Sequence, residues 1–159
     1  MKDLKSHLED SGFRNVITYI QSGNLAFESE SSDTKETELS IKNVIHTHFG
    51  LDIELVVLSS IELENILKKN PFTEPNYDEK RTYFTFFASP PSVEKIFGIH
   101  SLSYPDEEIF CTDRVAYLYS NLGYGKVKLS TNFLEKKLEV PVTTRNFNTV
   151  RKMLSVFEN

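Results

Sequence analysis

The sequence contains a single cysteine, Cys111, among its 159 residues, and it contains no long apolar run. One cysteine excludes an intrachain disulfide, and such sparing use is typical of proteins in a reducing compartment. A helix needs about 20 apolar residues to cross a bilayer, and no stretch approaches that length. No positively charged leader with an apolar run opens the chain. We therefore expect a cytoplasmic protein with no membrane partner.

The sequence also lacks the motifs that mark common catalytic and metal sites. It has no cysteine and histidine ligand set and no G-x-S-x-G nucleophile elbow. His46 and His48 are two residues apart on a predicted helix, so they point to different faces and make a poor metal pair. Cys111 has no basic neighbour in sequence that would activate its thiol. The sequence therefore predicts no cofactor and no metal, and it leaves open whether the protein is an enzyme.

What the sequence does have is an uneven distribution of charge. The net charge is −5, but residues 114–152 carry eight basic and two acidic side chains, whereas residues 1–113 carry ten basic and twenty acidic ones. The overall charge argues against indiscriminate binding of nucleic acid. Any attraction for phosphate would come from the basic C-terminal third. The alternative is that these charges simply lie on solvated faces.

The first half of the chain alternates helical and strand-like patterns. Gly23 and Asn24 tolerate the positive φ of a tight turn, and Ser59 and Glu62 have the spacing of a capping box. Pro71 stops the helix that the box opens. In order, we predict a helix in residues 1–12, hairpin strands in residues 14–21 and 24–29, a helix in residues 33–50, a strand in residues 52–59 and a helix in residues 59–70.

The second half begins after a polar connection, residues 71–81, which is rich in turn formers and is a candidate hinge. In order, we predict a strand in residues 82–88, a short helix in residues 92–97, strands in residues 107–112 and 114–120, and two helices that begin near residues 132 and 147. The aromatic strand TYFTFFA is similar to the base-stacking strand of some RNA-binding domains. It lacks their glycines, so core packing is the favoured interpretation.

Both halves are fragments of one pattern, β-α-β-β-α-β, in which two helices cover one face of an antiparallel sheet. The predicted fold class is α+β, with two ferredoxin-like halves, residues 1–70 and residues 71–159, in one compact unit. The first half lacks its opening strand. That absence would leave a ladder of backbone N–H and C=O groups exposed at the position of the strand.

Five sequence blocks stand out along the chain: TYIQSGN (18–24), NPF (70–72), GYGKVKLS (123–130), NFLEKKL (132–138) and VPVTTRNFNTV (140–150). Together they resemble a bacterial family known only as domain of unknown function 1697. The resemblance implies an α+β fold with ferredoxin-like halves and no established activity. Relatives begin earlier, with a strand that leads into a glycine-rich loop, whereas this chain starts at the helix that follows.

The glycine-rich segment GYGKVKLS is the first candidate site. It is not a Walker A loop, because its first lysine is not followed directly by Ser or Thr. Gly123 and Gly125 make backbone N–H groups approachable, Lys126 and Lys128 add positive charge, and the start of a helix follows. These features predict an anion site. The alternative is a glycine turn followed by solvated lysines.

The segment before the last helix is the second candidate site. Thr144 or Asn146 can cap that helix, but Arg145 is not needed for capping. A guanidinium beside a helix start suits bidentate capture of phosphate or carboxylate. We predict that Lys126 and Lys128 join these three residues in one polar cluster.

Three further residues are candidates for ligand contact. Tyr124 could stack on a base, although a tyrosine in a glycine turn also packs on apolar surface. Gln21 and Ser22 lie at the predicted hairpin tip, where turn formation does not account for them.

Three functions remain open from the sequence. The favoured one is a binding module for a phosphate-bearing ligand, either a nucleotide or a nucleic acid, held by the polar cluster. The second is an enzyme that acts on a small acidic metabolite, with Arg145 as a carboxylate clamp. The third is an interaction domain, or an oligomer, that pairs strands at the sheet edge left by the missing strand.

Overall fold

A computed structural model describes residues 1–19 and 23–158 of the chain. The fold class is α+β, as predicted, with two antiparallel sheets. The described helices are α1 (Lys2–Asp10), α2 (Thr34–Phe49), α3 (Ser60–Lys68), α4 (Val93–His100), α5 (Thr131–Leu138) and α6 (Phe147–Ser155). The described strands are β1 (Arg14–Tyr19), β2 (Asn24–Glu28), β3 (Thr82–Phe87), β4 (Glu107–Cys111), β5 (Val115–Ser120) and β6 (Val142–Asn146).

The chain forms two compact units. The first contains Met1–Leu63 and the C-terminal residues from Lys152, and the second contains Glu64–Arg151. The α6 helix therefore begins in the second unit and ends in the first. That residues 1–70 and 71–159 are two ferredoxin-like halves of one compact unit stays a prediction.

The second unit contains a four-stranded sheet with the order β4-β5-β3-β6, and all its neighbouring strands are antiparallel. The aromatic and β-branched sequence TYFTFF suits the central position of β3. Helices α4 and α5 cover one face, where Ile99 and Leu134 pack in a buried cluster with Phe87 and Leu118. Full burial of each such side chain contributes about 1.5–3 kcal/mol to folding.

The prediction that the aromatic strand serves the core is confirmed. Phe84 is fully buried and Phe86 is 5% exposed. The Phe84 ring lies 5.7 Å from the ring of Tyr117 and 6.4 Å from the ring of Phe147. These rings are therefore not available to stack on bases.

The sequence analysis missed strand β6. It treated Val142–Asn146 as a polar segment before a helix, whereas these residues pair with β3 from Phe87↔Val142 to Tyr83↔Asn146. Two physical features favour the strand: Val142, Thr143 and Thr144 are β-branched, and β3 offers a backbone edge that needs partners.

The first unit contains the predicted hairpin, in which β1 and β2 pair from Tyr19↔Asn24 to Arg14↔Glu28. Its core cluster includes Leu8 of α1, Val16 of β1 and Ile41 of α2. The capping box at the start of α3 is also present: Glu62 accepts the Ser59 N–H at 2.8 Å, and Ser59 Oγ accepts the Glu62 N–H at 3.1 Å.

The strand predicted in residues 52–59 is wrong. Residues 51–59 carry no strand assignment, and α3 begins at Ser60. The composition of DIELVVLS suits a strand, but a strand also needs a neighbour to pair with its backbone. Among the described residues, β1 and β2 pair only with each other, so the segment has no such neighbour.

Candidate functional site

The glycine-rich segment forms a tight turn after β5. Gly123 has φ of 80°, a left-handed conformation that favours glycine, and Tyr124–Lys126 form one turn of 3₁₀ helix. The side chains of Lys126 and Lys128 are exposed. This segment therefore presents two cations at the surface of the second unit.

The backbone N–H groups of this segment already hold a carboxylate of the chain itself. The Lys128 N–H donates to Glu107 Oε1 at 3.0 Å and to Oε2 at 2.9 Å, and the Leu129 N–H donates to Oε1 at 2.9 Å. Glu107 is the first residue of β4. An external anion would have to displace this side chain to reach the same donors.

Tyr124 and Thr144 do come together, through a chain of hydroxyl groups. Tyr124 Oη and Thr131 Oγ1 lie 2.6 Å apart, and Thr131 donates to Thr144 Oγ1 at 2.7 Å. Thr144 Oγ1 in turn lies 2.9 Å from Oγ1 of Thr85, a buried residue of β3. The ring of Tyr124 is centred 5.1 Å from that of Tyr83. Tyr124 thus packs on the sheet and forms hydrogen bonds with Thr131 at the start of α5.

Arg145 lies on the opposite face of the sheet from Thr144, because consecutive residues of a strand point to opposite faces. Its Nη1 donates to Thr143 Oγ1 at 2.6 Å and to the Thr144 carbonyl at 2.9 Å. Burial lowers the pKa of its guanidinium. Asn146 caps α6, since its Oδ1 accepts the Thr149 N–H at 2.8 Å. The predicted cluster is therefore divided between two faces of the sheet.

Two predicted residues cannot be placed, and two residues of the hydroxyl chain were not predicted. Gln21 and Ser22 lie outside the described residues. Thr131 and Thr85 were missed by the sequence analysis, although Thr131 directly follows the glycine-rich segment. In the sequence, Thr131 is a hydroxyl residue near a predicted helix start, and Thr85 is a hydroxyl residue within a predicted strand. Nothing else in the sequence indicated that their side chains would meet.

Cys111, the one cysteine, is unsuited to nucleophilic chemistry. Its side chain is 4% exposed, and burial raises the pKa of its thiol to about 12. Within the part of the chain that the structure describes, no cluster of three His, Cys, Asp or Glu side chains could hold a metal. Each helix among the described residues is too short or too polar to cross a membrane.

The first unit contains a groove that the sequence analysis did not locate by residue. It has a volume of about 480 Å³ and lies between β2 and the segment that precedes α3. Its apolar lining comes from both sides and from the end of α6: Leu25, Phe27, Val57, Leu58, Met153 and Phe157. Serine and threonine side chains make up most of its polar lining, and Glu28 is the one carboxylate among its described lining residues.

The two sides of the groove rest on the same core. Leu25 and Phe27 of β2 line one side and Val57 lines the other, while Leu55 lies outside the groove. All four side chains pack against the cluster around Ile41, yet all four are only half-buried. A spacing of two is the period of a strand. Residues 51–54 are exposed and residues 55–58 are all half-buried, however, so exposure does not alternate along this segment.

The backbone on both sides of the groove has unused hydrogen-bonding capacity. β2 lies at an edge of a two-stranded sheet, with β1 on one side. Across the described ranges 1–19 and 23–158, residues 51–58 make no backbone-to-backbone hydrogen bond outside the regular elements. Backbone groups left without protein partners must be satisfied by water or by another chain.

Comparison with known proteins places the chain in a family without assigning it an activity. Residues 1–117 match the family model described as "Protein of unknown function (DUF1697)". The structure of the conserved bacterial protein SP0830 from Streptococcus pneumoniae is similar, with a TM-score of 0.73 and 24% sequence identity, covering 98% of this chain and 87% of that chain. No curated protein matches this chain. The likeness to SP0830 shows the fold alone.

Proposed function

This chain belongs to the DUF1697 family of proteins of unknown function, and we propose that its first unit is an interaction module that binds an extended polypeptide segment as a strand. The observation that carries the proposal is the groove between β2 and residues 57–60. Both of its sides offer backbone donors and acceptors, and both offer half-buried apolar side chains. Addition of a strand to a sheet edge is a common mode of peptide recognition.

The second unit supports this proposal, because the order of its elements can be compared with that of the first unit. Its elements follow the order β3-α4-β4-β5-α5-β6, and β3 lies between β5 and β6. The first unit follows the order α1-β1-β2-α2 and then residues 51–58. If the two units share one ferredoxin-like plan, β2 corresponds to β5, and residues 51–58 correspond to β6. The groove then corresponds to the position that β3 fills.

The experiment is a titration of the isotopically labelled chain with an extended synthetic peptide, followed by amide chemical shifts. We expect the largest shifts in residues 25–28 and 51–58, because those backbone groups gain hydrogen bonds. Saturating peptide that leaves both segments unshifted would remove the proposal.

A phosphate-bearing ligand at the C-terminal polar residues stays a prediction. Lys126 and Lys128 are exposed and keep the region basic. The nearby amides are held by Glu107, however, and Arg145 lies across the sheet from Thr144. The geometry therefore supports strand binding better than phosphate binding.

A further inference from the structure

We propose that a second pocket of the first unit binds a neutral sugar ring. The pocket has a volume of about 390 Å³ and lies where the turn between α1 and β1, the segment after β2 and the middle of α2 meet. Small-ligand sites have volumes of about 300–1,000 Å³. Among the described residues, this pocket shares only Ser29 and Ser31 with the groove beside β2. The inference therefore goes beyond strand binding.

The lining of the pocket carries both hydrogen-bond donors and acceptors. Serine hydroxyls come from all three sides, and one amide and one carboxylate join them: Ser11, Ser29, Ser31, Ser40, Asn43 and Glu30. Hydroxyl and amide groups donate and accept, whereas a carboxylate only accepts. A ligand with many hydroxyl groups matches this mixed lining, because each of its hydroxyls also donates and accepts.

Part of this hydrogen-bonding capacity is not used by the protein itself. Across the described ranges 1–19 and 23–158, the side chains of Glu30, Ser40 and Asn43 have no hydrogen-bond or ion-pair partner. Ser40 and Asn43 are three residues apart on α2, so they lie on one face of the helix. An amide presents a donor beside an acceptor, and a carboxylate presents two acceptors. Each of these planar groups therefore suits two neighbouring hydroxyls of a sugar ring.

The floor of the pocket is apolar. Phe13 and Val44 line it and are only 7% and 9% exposed. The ring of Phe13 lies 5.0 Å from the ring of Phe27, so its position is fixed by packing. The C–H groups of a sugar ring form apolar faces. One such face packs on this floor while the hydroxyls reach the polar walls.

Hydrogen bonds within the protein hold two walls of the pocket in place. Ser31 Oγ donates to Glu36 at 2.6 Å and accepts the Asp33 N–H at 3.2 Å. On the opposite wall, Ser11 Oγ donates to the His7 carbonyl at 2.8 Å. A site that is already formed loses less conformational freedom when a ligand binds.

The charge of the lining disfavours an anionic ligand. Glu30 is the one charged side chain among the described lining residues, and no lysine or arginine is among them. A phosphate or carboxylate on the ligand would be repelled by Glu30 and would find no cation to pair with. A single carboxylate is also a poor site for a metal ion. The lining therefore selects a neutral sugar over a sugar phosphate.

The test titrates the full chain of 159 residues with the methyl glycosides of glucose, galactose and mannose, and follows amide chemical shifts. We expect at least one glycoside to shift residues 11–13, 29–31 and 40–44. Tetrahydropyran, which has the same ring without hydroxyls, should leave them unshifted. The 6-phosphate of the hexose that binds should bind about fivefold more weakly than the hexose itself, because of Glu30.

A matched pair of variants locates the site. Asn43→Ala should weaken binding of the glycoside about tenfold, since two hydrogen bonds are lost. Asn43 is exposed on α2, and alanine is a good helix former, so the variant should fold as the parent does. The control is Asn65→Ala on the exposed face of α3, which should leave the affinity unchanged. Thermal unfolding without sugar checks that both variants are folded.

The other outcomes overturn the inference. It fails if no glycoside shifts these residues, or if tetrahydropyran shifts them as strongly as the glycosides do. It also fails if the sugar phosphate binds more tightly than the sugar, or if Asn43→Ala and Asn65→Ala bind the glycoside equally well. The titration with an extended peptide reports on the groove beside β2, so failure of the sugar site leaves the proposed function standing.

Discussion

At the scale of single residues, the carboxylate of Glu107 joins the start of β4 to the turn after β5. It accepts backbone bonds from Lys128 and Leu129 at 2.9 to 3.0 Å. Charge-assisted bonds of this kind are shorter and stronger than neutral ones. The same donors were predicted from the glycines and lysines to hold an external anion. The sequence thus identified the donors, but it could not identify an acceptor that lies 21 residues from Lys128 along the chain.

We predict that Glu107→Ala destabilises the protein by about 1.5–3 kcal/mol, since it leaves charge-assisted bonds unmade. Chemical denaturation measures the change. Glu107→Gln should cost less, because its amide oxygen still accepts a hydrogen bond. The matched control is Glu94→Ala on the exposed face of α4. Inorganic phosphate should stabilise the Glu107→Ala variant more than the parent protein, and equal stability of parent and variant would contradict the account.

Two buried ionisable groups give stability a dependence on alkaline pH. Burial raises the pKa of Cys111 to about 12 and that of Tyr117 also to about 12. Both groups are neutral in the folded protein and ionise earlier when unfolded. Their contribution is therefore fully present below about pH 8.5, the pKa of an unfolded thiol, and is lost as the pH rises toward 12.

We therefore expect the urea midpoint to fall between about pH 8.5 and pH 11. Cys111→Ala should make that fall less steep, because the variant removes one of the two groups. An identical pH dependence for the parent and the variant would show that the thiol is not coupled to folding.

At the scale of elements, the pairing of backbones determines which segments form strands, and composition alone does not. The hairpin of β1 and β2 was predictable because its turn residues and its two β-branched runs are adjacent in sequence. Strand β6 was not predictable, because its threonines and arginine are polar and its partner, β3, lies far away along the chain. The prediction of a strand in residues 52–59 was wrong for the opposite reason: the composition suits a strand, but among the described residues no neighbouring strand pairs with it. Alternation along β6 then places Thr144 and Arg145 on opposite faces, which divides the predicted cluster.

Proline substitutions test whether the backbone of residues 51–58 is free in the protein alone. Val56→Pro should cost less stability than Thr85→Pro in the central strand β3, where proline removes a ladder hydrogen bond. Thermal unfolding gives the comparison. Val56→Ala controls for the lost side chain. A loss for Val56→Pro as large as that for Thr85→Pro would show that the segment already has a partner.

At the scale of the whole molecule, one unit has a complete sheet and the other has a hairpin beside an unpaired segment. The sequence predicted the α+β class, because the order of helices and strands is readable from periodicity. It did not predict the groove, because a groove depends on how residues from β2, the α3 entry and the end of α6 meet in space. The solved structure of SP0830 shares the fold, and 13% of that chain lies outside the part matched by this one.

The most direct measurement is hydrogen exchange of individual backbone amides, with and without an extended synthetic peptide. The account predicts that the peptide slows exchange at alternate residues within 25–28 and within 51–58, since only every second N–H of a strand faces a given neighbour. Exchange in both segments that is unchanged at saturating peptide would contradict it.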